Sequence, residues 1–180
     1  MLSYTAITSL DGYVADADGN FDWSAPDAEV HRFVNDLQRP IDTFLFGRRM
    51  YEIMTFWEDP ANSDGEPDEI VDYGELWRDT DKVVYSTTLS EVTTGRTRLE
   101  RSFDPDVVRA LPGTVTVGGP TLAAHALRAG IVDELCQFIS PVIVGAGTRF
   151  LPDGLGLDLE LVDQVRFGNG VVFLRYIVRA

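Results

Sequence analysis

Cysteine, lysine and histidine are all scarce in these 180 residues: Cys136 is the only cysteine, Lys82 the only lysine against fourteen arginines, and His31 and His125 the only imidazoles. A single cysteine excludes a disulfide framework and a thiolate metal site, and within the apolar-rich segment 134–140 it reads as a buried, inert thiol. Two histidines without a second ligand at metal spacing give no metal motif, and no nucleophile triad is visible. Asp16, Asp18, Asn20 and Asp22 have the spacing of a calcium loop. Its sixth position, however, is Phe21 where that loop needs glycine, and its twelfth is Asp27 where it needs glutamate, so these residues read as turn chemistry. No stretch approaches the roughly 18 consecutive apolar residues of a membrane span. The first residues lack a basic segment followed by an apolar one, which makes the cytoplasm the expected compartment. Positive charge is also short. With 29 acidic against 15 basic residues the net charge is −14, which argues against nucleic acid and anionic membranes as partners.

What is present is an ordinary globular composition, 44% hydrophobic and 24% charged, long enough for one domain over 1–180 with a full core. Strand and helix patterns alternate, which points to an α/β fold. Residues 2–8 read as a first strand, and 27–38 as an amphipathic helix with Val30, Phe33, Val34 and Leu37 on one face, Ser24 as its cap and Pro26 in its first turn. Residues 43–46 form a second strand that runs into a helix from Arg48 to about Phe56. The acidic segment 58–69, with Pro60 and Pro67, reads as a solvated surface loop. A helix over 68–77, a strand over 82–86, a helix opened by Asp104-Pro105, and a strand over 114–117 followed by a helix over 121–129 come next. A long strand over 134–144 and two strands, 159–167 and 171–178, joined by Gly168-Asn169-Gly170, complete the pattern. The sheet is therefore expected to be mostly parallel, with an antiparallel hairpin at the end.

Chemistry concentrates at two strand-to-helix junctions. In the first, Phe44-Leu-Phe-Gly-Arg-Arg-Met50, an apolar strand stops at Gly47 and a helix restarts with Arg48 and Arg49 in its first turn. A helix start presents free N–H groups and partial positive charge, and two guanidiniums add bidentate donors suited to phosphate. In the second, Val117-Gly118-Gly119-Pro120-Thr121-Leu122, glycine lets the backbone approach a ligand closely. Neither junction is a G-x-G-x-x-G or P-loop motif.

In order and spacing these segments resemble the dihydrofolate-reductase-like fold, and within it the C-terminal reductase domain of the bacterial riboflavin-biosynthesis deaminase-reductase. The likeness spans essentially the whole chain. It rests on Ser9-Leu-Asp-Gly-Tyr13, on Gly47-Arg-Arg-Met-Tyr-Glu52, on Gly118-Gly119, and on Asp133-Glu-Leu135 followed by Pro141-Val-Ile-Val-Gly-Ala-Gly147.

The resemblance implies a sheet of about eight strands and an NADPH-dependent reductase of a pyrimidine- or pteridine-like ring, with the cofactor laid across the carboxyl ends of the strands. Ala6 would offer backbone groups to the nicotinamide carboxamide, and Gly47, Arg48, Arg49 and Met50 would form the phosphate-binding helix start. Ser86 and Thr87 would lie by the adenosine ribose and its 2′-phosphate, and Gly118, Gly119, Pro120, Thr121 and Leu122 would cradle the pyrophosphate. Asp27 is the candidate proton-delivering carboxylate, with Trp23, Tyr51 and Trp57 as the walls of a flat substrate pocket. Family habit implies a homodimer. Four positions depart from the family pattern: Met50 replaces a threonine, Tyr13 a lysine, Val117 a glutamate, and Ala28 a carboxylate. Two alternatives stay open: dihydrofolate reductase activity, and a non-catalytic NADPH- or flavin-binding module.

Overall fold

The computed structural model describes residues 1–179. Eight strands form the main sheet: β1 (Leu2–Thr8), β3 (Thr43–Gly47), β4 (Asp81–Tyr85), β5 (Thr97–Glu100), β6 (Val115–Gly118), β7 (Glu134–Ile139), β9 (Leu159–Arg166) and β10 (Val172–Val178). Their order is β5-β4-β3-β6-β1-β7-β10-β9, and all run parallel except β10, which is antiparallel to both of its neighbours. Two further strands, β2 (Tyr13–Asp16) and β8 (Gly147–Arg149), form a small antiparallel sheet.

Parallel strands buried on both faces need apolar side chains in both directions, and β3 and β4 supply them. Leu45 and Val83 face one layer with Leu2, Tyr4, Val117 and Leu135, against the helix α5 (Pro120–Arg128). On the opposite face Val30, Phe33, Val34 and Leu37 of α1 (Ala28–Gln38) pack on Phe138, Phe167 and Phe173. Beside them, Trp77 of α3 (Asp68–Asp79) and Tyr51 and Met54 of α2 (Arg48–Met54) pack on Phe44, Phe46 and Val84. α4 (Pro105–Arg109) is capped by Asp104, as its Asp-Pro start suggests.

The structure departs from the sequence expectations in a few places, each with a physical reason. The cap of α1 is Asp27, whose Oδ1 accepts the Val30 N–H at 3.0 Å; Ser24 lies in a preceding 3-10 turn and its hydroxyl donates to the Phe21 carbonyl. The long strand ends at Ile139 because Pro141 has no N–H to continue the ladder and the Val142 N–H turns back to the Ser140 carbonyl. β5 carries one apolar residue, Leu99, in a half-exposed edge strand, too weak a pattern to read. β2 and β8 pair across some 130 residues, where Gly147 (φ +143) lies against the backbone of Ala15 and Asp16, which leaves no room for a Cβ. The sole lysine is structural. Lys82 is 1% exposed and donates to the Trp77 and Thr80 carbonyls at the end of α3.

Candidate functional site

The chain leaves β1 toward β3 on the side of β6, and leaves β6 toward β7 across β1, with α1 and α5 on opposite faces of the sheet. The β1–β6 boundary is therefore the topological switch point, where an open α/β sheet forms a crevice at the carboxyl ends of its strands. The β1–β6 ladder stops at Tyr4↔Val117, because β6 turns away at Gly118, while β1 runs on to Thr8 beside β7. Met1 sends its carbonyl to the β6 side, and Leu2 and Thr8 send theirs to the β7 side. By strand alternation the Ile7 N–H and C=O then face the open gap, whereas those of Ala6 lie within the β1–β7 ladder. Ala6, the expected position, thus has its backbone groups within the ladder, and the groups that face the gap are those of Ile7.

Both glycine junctions open on this edge, side by side, since Phe46 pairs with Gly118 across β3 and β6. Gly47 caps α2 and Gly119 caps α5, neither with a side-chain cap, so the first-turn N–H groups remain available, those of α5 beginning at Thr121 because Pro120 has none. Gly119 has φ +90, a conformation that favours glycine. Gly118 is needed for packing: a Cβ there would come within 2.7 Å of the Phe46 ring. Met50 lies over the pair, its Cβ 3.2 Å from where a Gly119 Cβ would be, so its side chain packs against the two glycines. Thr121 is exposed, while the Leu122 side chain belongs to the core.

The next strand end, that of β4, carries the Ser86–Ser90 turn. Ser86 Oγ accepts the Thr88 and Leu89 N–H groups, and Thr87 is exposed. Arg48 reaches this turn, donating from Nη1 to Thr88 Oγ1 at 3.0 Å and from Nε to Glu52 at 2.7 Å. Arg101 braces it from below through the carbonyls of Ser86, Leu89 and Ser90. Arg49 is exposed and enters no hydrogen bond or ion pair among the described residues. Thr88 and Arg101 escaped the sequence reading because neither belongs to a motif; only the turn brings them to the edge.

On the other side of Ile7 is a cavity of about 210 Å³ between β1, the start of α1 and the β9–β10 turn. Trp23, Pro26, Val30 and Ile7 form its apolar walls, and Ser140 and Asn169 contribute polar groups. The Trp23 indole N–H is buried without a hydrogen-bond partner. Asp27 sits beside this cavity, between Pro26 and Val30, and one of its oxygens is already committed to capping.

Tyr51 and Trp57 do not border the cavity. Tyr51 is 3% exposed, and its hydroxyl accepts the Thr93 N–H at 2.9 Å and contacts Thr94 Oγ1. Trp57 packs edge-on against Tyr73 and His31. Asp11 ties the β1–β2 turn to the segment before β8, its two oxygens accepting from Val144 and Gly145 at 3.2 and 2.7 Å. The Ser9 hydroxyl and these N–H groups hold its carboxyl below the ordinary range. Among the described residues no cluster of His, Cys, Asp and Glu could hold a metal, and no helix is long and apolar enough to cross a membrane.

The model of the RibD C-terminal domain matches residues 1–173. The chain belongs to the RibD C-terminal domain family. YyaP of Bacillus subtilis, an uncharacterized protein, is 27% identical over 173 residues, a match that covers 93% of this chain and 89% of the relative. Among solved structures, a pyrimidine reductase-like protein from Corynebacterium diphtheriae superposes with a TM-score of 0.70 at 16% identity, covering 99% of this chain and 92% of its own. The deaminase/5-amino-6-(5-phosphoribosylamino)uracil reductase of Thermotoga maritima does so with a TM-score of 0.64 at 15% identity, over 99% of this chain and 56% of its own. These structural likenesses establish the shared fold, an eight-stranded, mostly parallel sheet that ends in antiparallel strands.

Proposed function

We propose that this family member is an NADPH-dependent reductase of a pyrimidine- or pteridine-like ring. The carrying observation is the row of strand ends β4, β3, β6 and β1. Three intervals of ~4.8 Å make a track about 14 Å long, with a hydroxyl-rich turn and Arg48 at one end and an unpaired strand edge at the other. An extended dinucleotide fits that sequence of groups. Ser86, Thr87 and Arg48 would take the adenosine ribose and its 2′-phosphate, and Arg49 with the uncapped starts of α2 and α5 would take the pyrophosphate. Ile7 would offer an N–H and a C=O to the nicotinamide carboxamide. NADPH, when bound, supplies the hydride, and the protein's task is to position it. The apolar walls of Trp23, Pro26 and Val30 hold a flat ring beside that position, exclude water, and leave the Trp23 N–H to pair with the ring's edge. Asp27, with one uncommitted oxygen, is the candidate to deliver a proton.

The test is NADPH oxidation, followed against dihydrofolate, 5-amino-6-(5-phosphoribosylamino)uracil and related aminopyrimidines, and free flavins, and repeated with Asp27→Asn. Turnover of a ring compound that falls at least tenfold in the variant supports the reading. Tight NADPH binding with no turnover of any compound would favour a non-catalytic binding module. A homodimer is part of the same proposal, motivated by Leu159, Leu161 and Val162 exposed on the edge strand β9. Sedimentation giving only a 20 kDa species would remove it.

A further inference from the structure

The cavity beside Ile7 differs from the rest of the strand-end edge in one respect: among the described residues, nothing that lines it carries a charge. Its polar groups are the buried Trp23 N–H, the Ser24 and Ser140 hydroxyls and the Asn169 amide. Asn169 Oδ1 is used locally, accepting the Val171 N–H at 3.0 Å, so the amide presents its NH₂. At about 210 Å³ the space falls below the 300–1,000 Å³ of typical ligand sites, so it takes a ring, and any sugar or phosphate attached to that ring must leave through the mouth.

The mouth is acidic. Asp22 and Asp27 flank the lining residues Trp23 and Pro26 and are exposed. Glu29 reaches across from α1 and accepts the Gly168 N–H at 2.9 Å, which pins the β9–β10 turn and Asn169 against the opening. The arginines nearest in sequence do not serve it. Arg32 is engaged with Glu69 at 3.2 Å, and Arg166 pairs with Val172, on the sheet face opposite Phe173 and Val165. Arg48 and Arg49 stand at the end of β3, with β6 and β1 between them and this cavity.

The geometry points to a substrate that is an unphosphorylated ring compound, neutral or cationic, and to the rejection of its phosphate ester. This rests on the reductase reading and narrows it, because a phosphate carried out through this mouth would meet Asp27 and Glu29, with no arginine or lysine among the described residues that line the cavity. A phosphate dianion held near carboxylates without a partner is repelled, and the repulsion is screened by salt.

The test uses a matched pair, 5-amino-6-(ribosylamino)uracil and its 5′-phosphate, bound to the NADP⁺-saturated protein and measured by calorimetry. The nucleoside should bind at least tenfold more tightly at ~0.05 M salt, and the ratio should shrink severalfold near ~1 M, where the Debye length falls to about 3 Å. Glu29→Gln keeps an acceptor for Gly168 and removes a charge, so it should narrow the ratio. Asn169→Arg, on an exposed turn, supplies the missing cation and should bring the phosphate ester to parity or better. Equal or tighter binding of the phosphate ester by the wild type overturns the inference, as does a preference that neither salt nor either variant changes. Failure of both compounds to bind while NADPH binds overturns it too. NADPH oxidation separates the two readings: a nucleoside that binds preferentially and is never reduced leaves this inference standing without the reductase, and a reductase that prefers the phosphate ester does the reverse.

Discussion

Arg48 and Arg49 are adjacent in sequence but differ in what they already touch, and that difference fixes what their removal should do. Arg49→Ala takes away an exposed guanidinium with no partner among the described residues, so stability should stay within the ~0.5 kcal/mol usual for surface changes. If Arg49 meets a cofactor phosphate, it forfeits a charge-assisted hydrogen bond worth roughly 1.5–3 kcal/mol, which lowers NADPH affinity about ten- to hundredfold. Arg48→Ala should cost affinity similarly and also some stability. Its ion pair with Glu52 joins side chains 49% and 44% exposed at i,i+4 spacing, worth about 0.3–0.5 kcal/mol, and its bond to Thr88 adds a comparable amount. The Ser86–Ser90 turn should survive, because Arg101 holds its carbonyls independently. Arg49→Lys keeps the charge without the fork and should fall between wild type and alanine. Calorimetric titration with NADPH gives the affinities and urea unfolding the stabilities. The reasoning is refuted if Arg49→Ala binds NADPH within twofold of wild type, or if its lost affinity follows a loss of stability.

Two further outcomes probe the scaffold. Tyr51→Phe removes the acceptor of the Thr93 N–H and, because Thr93 is exposed and its N–H can turn to water, should cost about 0.5–1.5 kcal/mol in urea unfolding while leaving NADPH affinity unchanged; a selective loss of ring binding at unaltered stability would return Tyr51 to the substrate site. Burial between α1 and α3, among Trp57, Tyr73, Glu69 and Asp72, pushes the His31 pKa below its ordinary 6.5, so the unfolded chain takes up the proton first. Stability should therefore fall as pH drops through the region just below 6.5. That window is separate from the one below 3.8 in which the Arg39-paired Asp72 loses its contribution, and His31→Gln should flatten only the upper one.

The two glycine junctions and the C-terminal hairpin were legible because each is locally encoded. The apolar run before Gly47, the Gly118-Gly119-Pro120 break and the Asn-Gly turn at residues 169–170 each combine a strand pattern with a backbone requirement that few residues meet. What escaped depends on distance along the chain. The Ala6-to-Ile7 shift follows from where the β1–β6 ladder ends, a matter of sheet register that no run of residues announces. Tyr51 and Trp57 have the aromatic character of a pocket wall, yet the cluster around Trp77 and Met54 and the loop around Thr93 claim them for the core. The cavity itself joins Ile7, Trp23, Ser140 and Asn169 from four separate segments.

The central claim, a nicotinamide dinucleotide across the ends of β4, β3, β6 and β1 with its 2′-phosphate at the Ser86 turn, is tested most directly by titrating the wild-type protein in parallel with NADPH and NADH. Both should bind saturably, with NADPH at least tenfold tighter and the preference lost in Arg48→Ala. Equal affinity for the two would remove the 2′-phosphate pocket, and no binding of either would contradict the account as a whole.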